Sequence, residues 1–392
     1  MRHADKSKLS WLLALVGALM FSVACAGETP EGGDGDGDGD GDGDGDITDR
    51  EVDYVLAAKI ASLKLSGNLP TMSETFGIEN AADQKGAYEA YVDELLTRGT
   101  YNREVFTFFK QMFKMGDSPE LDTAPAFAAS LVQQNRPYTE LMTAADGNCP
   151  TVALDVDGIP TFTAGTCASG YMGGAANEAG LLTNPALQAQ YYGNLAFRRV
   201  RFLQEVLKCS AFPGEQGVAG VDVGGQVDFT GRFPYGEIAN DVNGRINFQE
   251  MSNSACTNCH AEGLNHIAGG FANFGEDGMW QTDIQVLLPL EGEPTLEMTD
   301  LLVDGTPMQW NPGETFTTLP ELGALMAADP VVGQCIVKRV VNWSLSKADI
   351  TDFKTRVPTE NIEAMYADFV ESDYNFTELV RAAYKHEYFI SF

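Results

Sequence analysis

Basic residues are scarce in this chain of 392 residues: 25 Lys and Arg stand against 56 Asp and Glu, a net charge of −31. Nucleic acids and anionic lipid headgroups are both bound through clustered Lys and Arg, so the shortage excludes both as partners. The remaining composition, with 44% hydrophobic residues, is that of a globular chain long enough for two or three domains. We therefore expect cationic or neutral partners.

Long apolar stretches are equally scarce. Leu9–Val23 is apolar, but it is shorter than the roughly 20 residues of a spanning helix, and no other stretch is long enough to cross a bilayer. Basic residues precede it and Ala24-Cys25-Ala26 follows it, an arrangement typical of a secretion signal. Residues 1–25 are therefore predicted to be a signal peptide that directs export.

Cys25 resembles the lipidated cysteine of a bacterial lipoprotein, although Ser22 stands where that motif usually has Leu. The other interpretation is ordinary signal cleavage, with Cys25 lost or free. The lipoprotein interpretation predicts a protein anchored by lipid in the cell envelope, at the outer membrane or the periplasmic face.

Residues 26–50 contain a Gly-Asp alternation with seven Asp between Gly33 and Asp46. This stretch cannot bury apolar surface and is predicted to be a flexible acidic linker.

Cysteine and histidine are few, with seven Cys and four His, yet three of them stand together as Cys256-Thr257-Asn258-Cys259-His260. This is the spacing of a c-type haem attachment site. Residues three and four apart share one face of a helix, so both thiols can reach the porphyrin vinyl groups while the His260 imidazole binds the iron. The sequence therefore predicts one covalent haem c per chain.

Two other interpretations of the motif remain. A thioredoxin-like pair has the same cysteine spacing but belongs in a βαβ setting, which the surrounding sequence lacks. A zinc site could use Cys256, Cys259, His260 and His266. Export to an oxidising compartment favours haem over both.

The sixth iron ligand is predicted to be Met308, in the polar segment Asp304-Gly305-Thr306-Pro307-Met308. Low-spin electron carriers add Met or His at this position, whereas an open position binds small ligands or peroxide. Met279 and His266 are the alternatives, and His266 lies so close to the attachment helix that it would hardly reach the opposite haem face.

The other four cysteines, Cys149, Cys167, Cys209 and Cys335, form an even set, and disulfides persist in an oxidising compartment. They permit three pairings. Proximity in the chain favours Cys149 with Cys167, which leaves Cys209 with Cys335 as the second pair.

The hydrophobic pattern predicts a mainly α fold: an N-terminal helical domain followed by an α-helical, cytochrome c-like haem domain with loop-rich insertions. Apolar stripes indicate three early helices, the first through Val55, Ile60 and Leu63. Asn184-Pro185 and Asp329-Pro330 are helix-start signals, the former for a helix that runs to Cys209. The predicted domains are an N-terminal helical domain at 51–150, a loop-rich connector with a short hairpin at 151–180, a haem-bearing domain at 181–300 and a C-terminal helical domain at 301–392.

Several segments resemble the domains of unknown function that make up the planctomycete-type cytochrome c proteins, which also occur in myxobacteria. The resemblance covers most of the mature chain. It rests on these segments: Leu69-Pro70-Thr71, Tyr88–Leu96, Asn135–Tyr138, Gly180–Pro185, Val206–Cys209, the spaced residues Leu264 to Trp280, Glu321-Leu322, Cys335, and Tyr374–Phe389. The chain departs from that family at His266, usually Pro, at Met279, usually Arg, and at Trp343–Lys347. The resemblance implies the haem, the fold and the location, and it implies no reaction.

Three functions fit the sequence. One attachment motif without a catalytic constellation beside it favours an electron carrier or redox subunit, which exchanges electrons with a redox partner protein in the envelope. The second is a haem enzyme or sensor with an open coordination site, peroxidase-like in its chemistry. The third is a surface scaffold or binding lipoprotein in which the haem is structural.

Overall fold

The structure is a computed structural model that describes residues 50–392, apart from the following: 117, 119, 193–195, 212–214, 222–228, 233–263, 283–284, 288–294 and 298–306. The chain divides into two compact units. One unit contains, among the described residues, only the antiparallel hairpin of β3 (Glu215–Val221) and β4 (Phe229–Arg232). The other unit contains the rest of the described residues, and it is mainly helical, as the sequence predicts.

The N-terminal part of the larger unit is a series of amphipathic helices. Their starts are set by side chains that accept hydrogen bonds from free backbone N–H groups, such as Asp53 before the first helix and Thr71 before the second. The helices are α1 (Tyr54–Ser66), α2 (Met72–Glu79), α3 (Gln84–Thr97), α4 (Gly99–Met112), α5 (Thr123–Gln133) and α6 (Glu140–Thr143).

The buried face of α1 matches the predicted one only in part: Val55 and Ile60 are half-buried against the core. Leu63 is 48% exposed, while the small residues Ala57, Ala61 and Ser62 are buried. The Tyr91 hydroxyl donates to Ser62 Oγ at 2.9 Å. The small side chains, together with the buried Leu65, form the surface against which α3 and α4 pack.

A loop-rich middle region follows, with the short hairpin that the sequence predicts. Its antiparallel strands are β1 (Thr151–Leu154) and β2 (Pro160–Thr163). Asn184 then caps α7 (Pro185–Gln190), and α8 (Phe197–Phe202) continues into a π-helical turn, Leu203–Leu207. The single helix predicted from Asn184 to Cys209 is therefore wrong: the chain leaves the helix after Gln190, and Ala196 has a φ of 63°.

The rest of the unit begins with α9 (Asn265–Ala268), a 3-10 turn at Gly269–Phe271 and an antiparallel pair, β5 (Gln285–Leu287) and β6 (Thr295–Glu297). Capping by Thr318 and Asp329 starts the next two helices. The C-terminal helices are α10 (Leu319–Ala328), α11 (Pro330–Ser344), α12 (Thr359–Glu371), α13 (Phe376–Lys385) and α14 (Glu387–Ile390).

Helices from the two ends of the chain share one hydrophobic core. The backbone of Asp53 donates to Ile390 O at 3.0 Å, and the buried Tyr88 hydroxyl donates to Tyr384 O at 2.6 Å. Asp93 on α3 accepts hydrogen bonds from Arg381 and Lys385 on α13 at 2.8 and 2.7 Å. In the described part of the chain, no helix combines the length and apolar character that crossing a bilayer requires.

Candidate functional site

The predicted attachment residues Cys256, Cys259 and His260 lie outside the described residues, as does Cys25. The structure resumes at Leu264, four residues after His260. It therefore describes the segment that follows the motif and the elements that pack against it.

The segment that follows the motif, residues 264–280, folds back on itself. Phe274 and Trp280 form an isolated antiparallel bridge, and their rings lie edge to face with centroids 5.2 Å apart. The buried Tyr171 ring stacks on Phe274 at 5.9 Å, and its hydroxyl accepts a hydrogen bond from Leu319 N at 2.8 Å. Gly278 has a φ of 75° and passes so close to Pro185 that a Cβ there would collide with the Pro185 carbonyl. These contacts fix the segment on α7 and α10.

A buried arginine also holds this segment. Arg199 on α8 is 4% exposed, and its guanidinium donates to the carbonyls of Gln188 (2.8 and 3.1 Å), Phe271 (3.1 Å) and Gly275 (3.1 Å). Burial lowers the pKa of Arg199 to about 10, and the Tyr192 side chain opposes that shift. The planar group satisfies three separate carbonyls, which an ammonium on a flexible stem would not do. Sequence reasoning missed this residue, although a cation within the apolar pattern of Val200 and Leu203 was a signal for it.

Met308, the predicted sixth ligand, lies on a short hairpin, residues 307–316, which we call the Met308 hairpin. Gln309 and Thr315 form an isolated bridge, Phe316 N donates to Met308 O at 3.1 Å, and Trp310 N donates to Glu314 O at 2.9 Å. A Cβ built on Gly269 would stand 2.9 Å from the Met308 sulfur. The thioether therefore lies directly against the 3-10 turn that begins nine residues after His260.

His266 contacts the same hairpin. Its Nδ1 lies 2.9 Å from Pro307 O, so this nitrogen carries the proton and donates, and Gln309 N donates to His266 O at 3.3 Å. Met279, the other alternative ligand, lies in a separate tight turn, where its backbone N donates to Asp277 Oδ1 at 2.9 Å. Of these three candidates, His266 and Met308 both lie where the Met308 hairpin packs against residues 266–269.

Two disulfides pair the other cysteines in the way that proximity along the chain favours. Cys149 is bonded to Cys167, with Cα atoms 4.8 Å apart, and Cys209 to Cys335, with Cα atoms 5.4 Å apart. The second closes a loop with a sequence separation of 126, and this loop carries the attachment motif, His266 and Met308. The disulfide therefore joins the two ends of the segment from Cys209 to Cys335.

The chemistry of the donor set suits haem c. Cys256 and Cys259 stand outside the four cysteines that form the two disulfides, His260 offers an imidazole, and the Met308 thioether lies beside the segment that His260 precedes. Within the ranges that the structure describes, no group of three or more His, Cys, Asp and Glu side chains is arranged to hold a metal ion.

Comparison of the chain with protein-family models, with curated proteins and with solved structures finds no match.

Proposed function

We propose that this chain is an exported, lipid-anchored electron carrier or redox subunit with one haem c. Cys256 and Cys259 form the thioether bonds, His260 is the proximal ligand, and Met308 is the sixth ligand. The surrounding part of the helical fold is then a cytochrome c-like haem domain, in line with the resemblance to the planctomycete-type proteins.

One observation supports the proposal most: the Met308 sulfur lies against Gly269, close in the chain to His260. A thioether on a hairpin that packs on the segment after the motif supports Met308 over Met279, which lies in a separate turn. The hairpin is also joined to that segment by the Gln309 to His266 and His266 to Pro307 hydrogen bonds.

Haem c supplies a one-electron Fe(III)/Fe(II) couple when bound, and His with Met as axial ligands is typical of low-spin electron carriers. The chain's own role is to hold the ligands, exclude water and offer a surface to the partner. Its strongly negative charge favours a redox partner with a positive docking surface.

Absorption spectra of the matured full-length protein test the proposal: oxidised, reduced, and reduced with carbon monoxide. We expect a low-spin haem c spectrum that does not respond to carbon monoxide, and loss of covalent haem in His260→Ala or Cys256→Ala. Met308→Ala should give a high-spin haem that binds carbon monoxide, whereas Met279→Ala is the matched control and should leave the spectrum unchanged.

A colourless matured protein would refute the haem assignment. Carbon monoxide binding by the unaltered protein would instead refute Met308 as ligand and favour the open-site enzyme or sensor.

A further inference from the structure

The Met308 hairpin has a second attachment besides its contact with Gly269. Among the described residues, its backbone-to-backbone bonds join it to itself and, through Gln309, to His266. The side chains of Trp310 and Asn311 extend from its tip toward the start of α11, where they meet a single carboxylate.

That carboxylate is Asp329, whose side chain is 7% exposed. Its Oδ2 accepts from Trp310 Nε1 at 2.9 Å and from Asn311 Nδ2 at 3.2 Å. Its Oδ1 accepts from Val331 N at 2.9 Å and so caps α11. One buried carboxylate therefore divides its two oxygens between a helix start and the hairpin.

Lys208, which follows the π-helical turn, contacts both the hairpin side chains and the Asp329 carboxylate. Its Nζ donates to Asn311 Oδ1 at 2.5 Å, lies 4.5 Å from the centre of the Trp310 ring and stands 3.8 Å from Asp329 Oδ2. Its side chain is 15% exposed. Burial lowers the pKa of Lys208, and the charges of Asp329 and Glu314 oppose that shift.

The disulfide between Cys209 and Cys335 fixes the two sides of this arrangement to each other. Cys209 follows Lys208 directly, and Cys335 lies on α11, the helix that Asp329 caps. The disulfide therefore keeps Lys208 and Asp329 close to each other. This favours hydrogen bonds from protein groups to the buried Asp329 carboxylate over hydrogen bonds from water.

We propose that Asp329 is a positioning residue for Met308: it holds the Met308 hairpin so that the thioether stays against Gly269, and it thereby sets how firmly the methionine binds iron. The first half of the proposal, that Asp329 holds the hairpin, stands on the contacts above. The second half, that Asp329 affects the bond between Met308 and iron, rests on the proposed function.

Two variants of the full-length protein each remove one partner of the hydrogen bond between Trp310 and Asp329. Asp329→Ser keeps a good helix-capping group but is too short to reach Trp310. Trp310→Phe keeps a ring beneath Lys208 and removes the Nε1–H donor together with part of the buried indole. Asp53→Ser is the matched control, because Asp53 caps α1 in the same way, through Val55 N at 3.0 Å and Leu56 N at 2.8 Å, away from the hairpin.

Hydrogen exchange of peptides that cover residues 307–317 tests the first half, with or without haem. We expect exchange there to be faster by about tenfold in Asp329→Ser and Trp310→Phe, the effect of losing a hydrogen bond to a charged group. Asp53→Ser should leave exchange in this peptide unchanged. Unchanged exchange in both hairpin variants would overturn the proposal.

Carbon monoxide binding and the haem reduction potential test the second half. We expect the two variants to bind carbon monoxide measurably faster than the unaltered protein, in the direction of Met308→Ala, while Asp53→Ser does not. Faster exchange with unchanged carbon monoxide binding would overturn the claim that Asp329 acts on the iron. If Met308→Ala itself changes nothing at the iron, the proposed sixth ligand fails instead, and the exchange result still decides whether Asp329 positions the hairpin.

Discussion

The Met308 sulfur occupies the space beside Gly269 that a side chain at that position would need, since a Cβ there would stand 2.9 Å away. Gly269 has an ordinary negative φ of −55°, so the contact that a Cβ from Gly269→Ala would press on is the one with Met308. We expect the flexible thioether to be displaced at a cost of at most about 1 kcal/mol in unfolding free energy. Thermal unfolding measures that cost, and the absorption spectrum with carbon monoxide reports whether Met308 has left the iron.

Gly77→Ala is the control for this prediction. Gly77 lies inside α2, and a Cβ there would meet nothing within 4 Å. Alanine in a helix interior should stabilise the protein by roughly 0.5–1 kcal/mol and leave the spectrum unchanged. A Gly269→Ala protein whose haem spectrum also stays unchanged would contradict the placement of Met308 at the iron.

The two disulfides should differ in their contribution to stability, because they close loops of different length. In the chain-entropy description, the bond across a separation of 126 restricts the unfolded chain more than the bond across a separation of 18. We expect the paired Cys209→Ala, Cys335→Ala variant to lose about 5 kcal/mol, and the Cys149→Ala, Cys167→Ala variant about 3 kcal/mol. Denaturant unfolding of both variants checks the order, and a larger loss from the shorter loop would contradict it.

Arg199→Lys should destabilise the protein by about 2–4 kcal/mol, because one ammonium cannot satisfy the carbonyls of Gln188, Phe271 and Gly275 together. Arg198→Lys is the matched control, since Arg198 donates to Tyr192 O at 3.1 Å near the surface and is not among the donors to the segment after the motif that the described residues show. It should change the unfolding free energy by no more than about 0.5 kcal/mol. Equal effects of the two substitutions would show that Arg199 does not hold the segment after the attachment motif.

Because His386 is buried, we expect the protein to lose unfolding free energy on acidification. Burial lowers the pKa of His386 in the folded protein, although the Glu387 charge opposes this, and His386 Nδ1 accepts a hydrogen bond from Tyr388 N at 3.2 Å. The unfolded chain, with its His pKa near 6.5, therefore binds a proton more readily than the folded protein. The stabilising contribution is complete above that pH and is lost as the pH falls through it.

His386→Asn keeps a side chain that can cap α14 and removes the titrating group. The difference in unfolding free energy between the unaltered protein and the variant should fall between about pH 7.5 and pH 5.5. Denaturant unfolding at these pH values measures it. A difference that is constant over this range would rule out His386 as the cause.

Local signals predicted much of the helical fold. Asn184 and Asp329 cap helices where their sequences indicate, because a cap depends only on the next two or three residues. The break after Gln190 was not predicted. It places Tyr191 so that its hydroxyl donates to Phe113 O at 2.6 Å, and it lets Arg199 reach back to Gln188, contacts that involve residues far apart in the chain or on separate helices.

The sequence by itself determined the local signals of this protein: helix starts, the spacing of Cys256, Cys259 and His260, and the even set of four cysteines. The tertiary structure alone decided that Met308 meets Gly269, that Asp329 receives the Trp310 indole, and that helices from both ends of the chain share a core. The reason is that caps and motifs depend on neighbours within one helical turn, whereas these contacts join residues brought together only when the core packs.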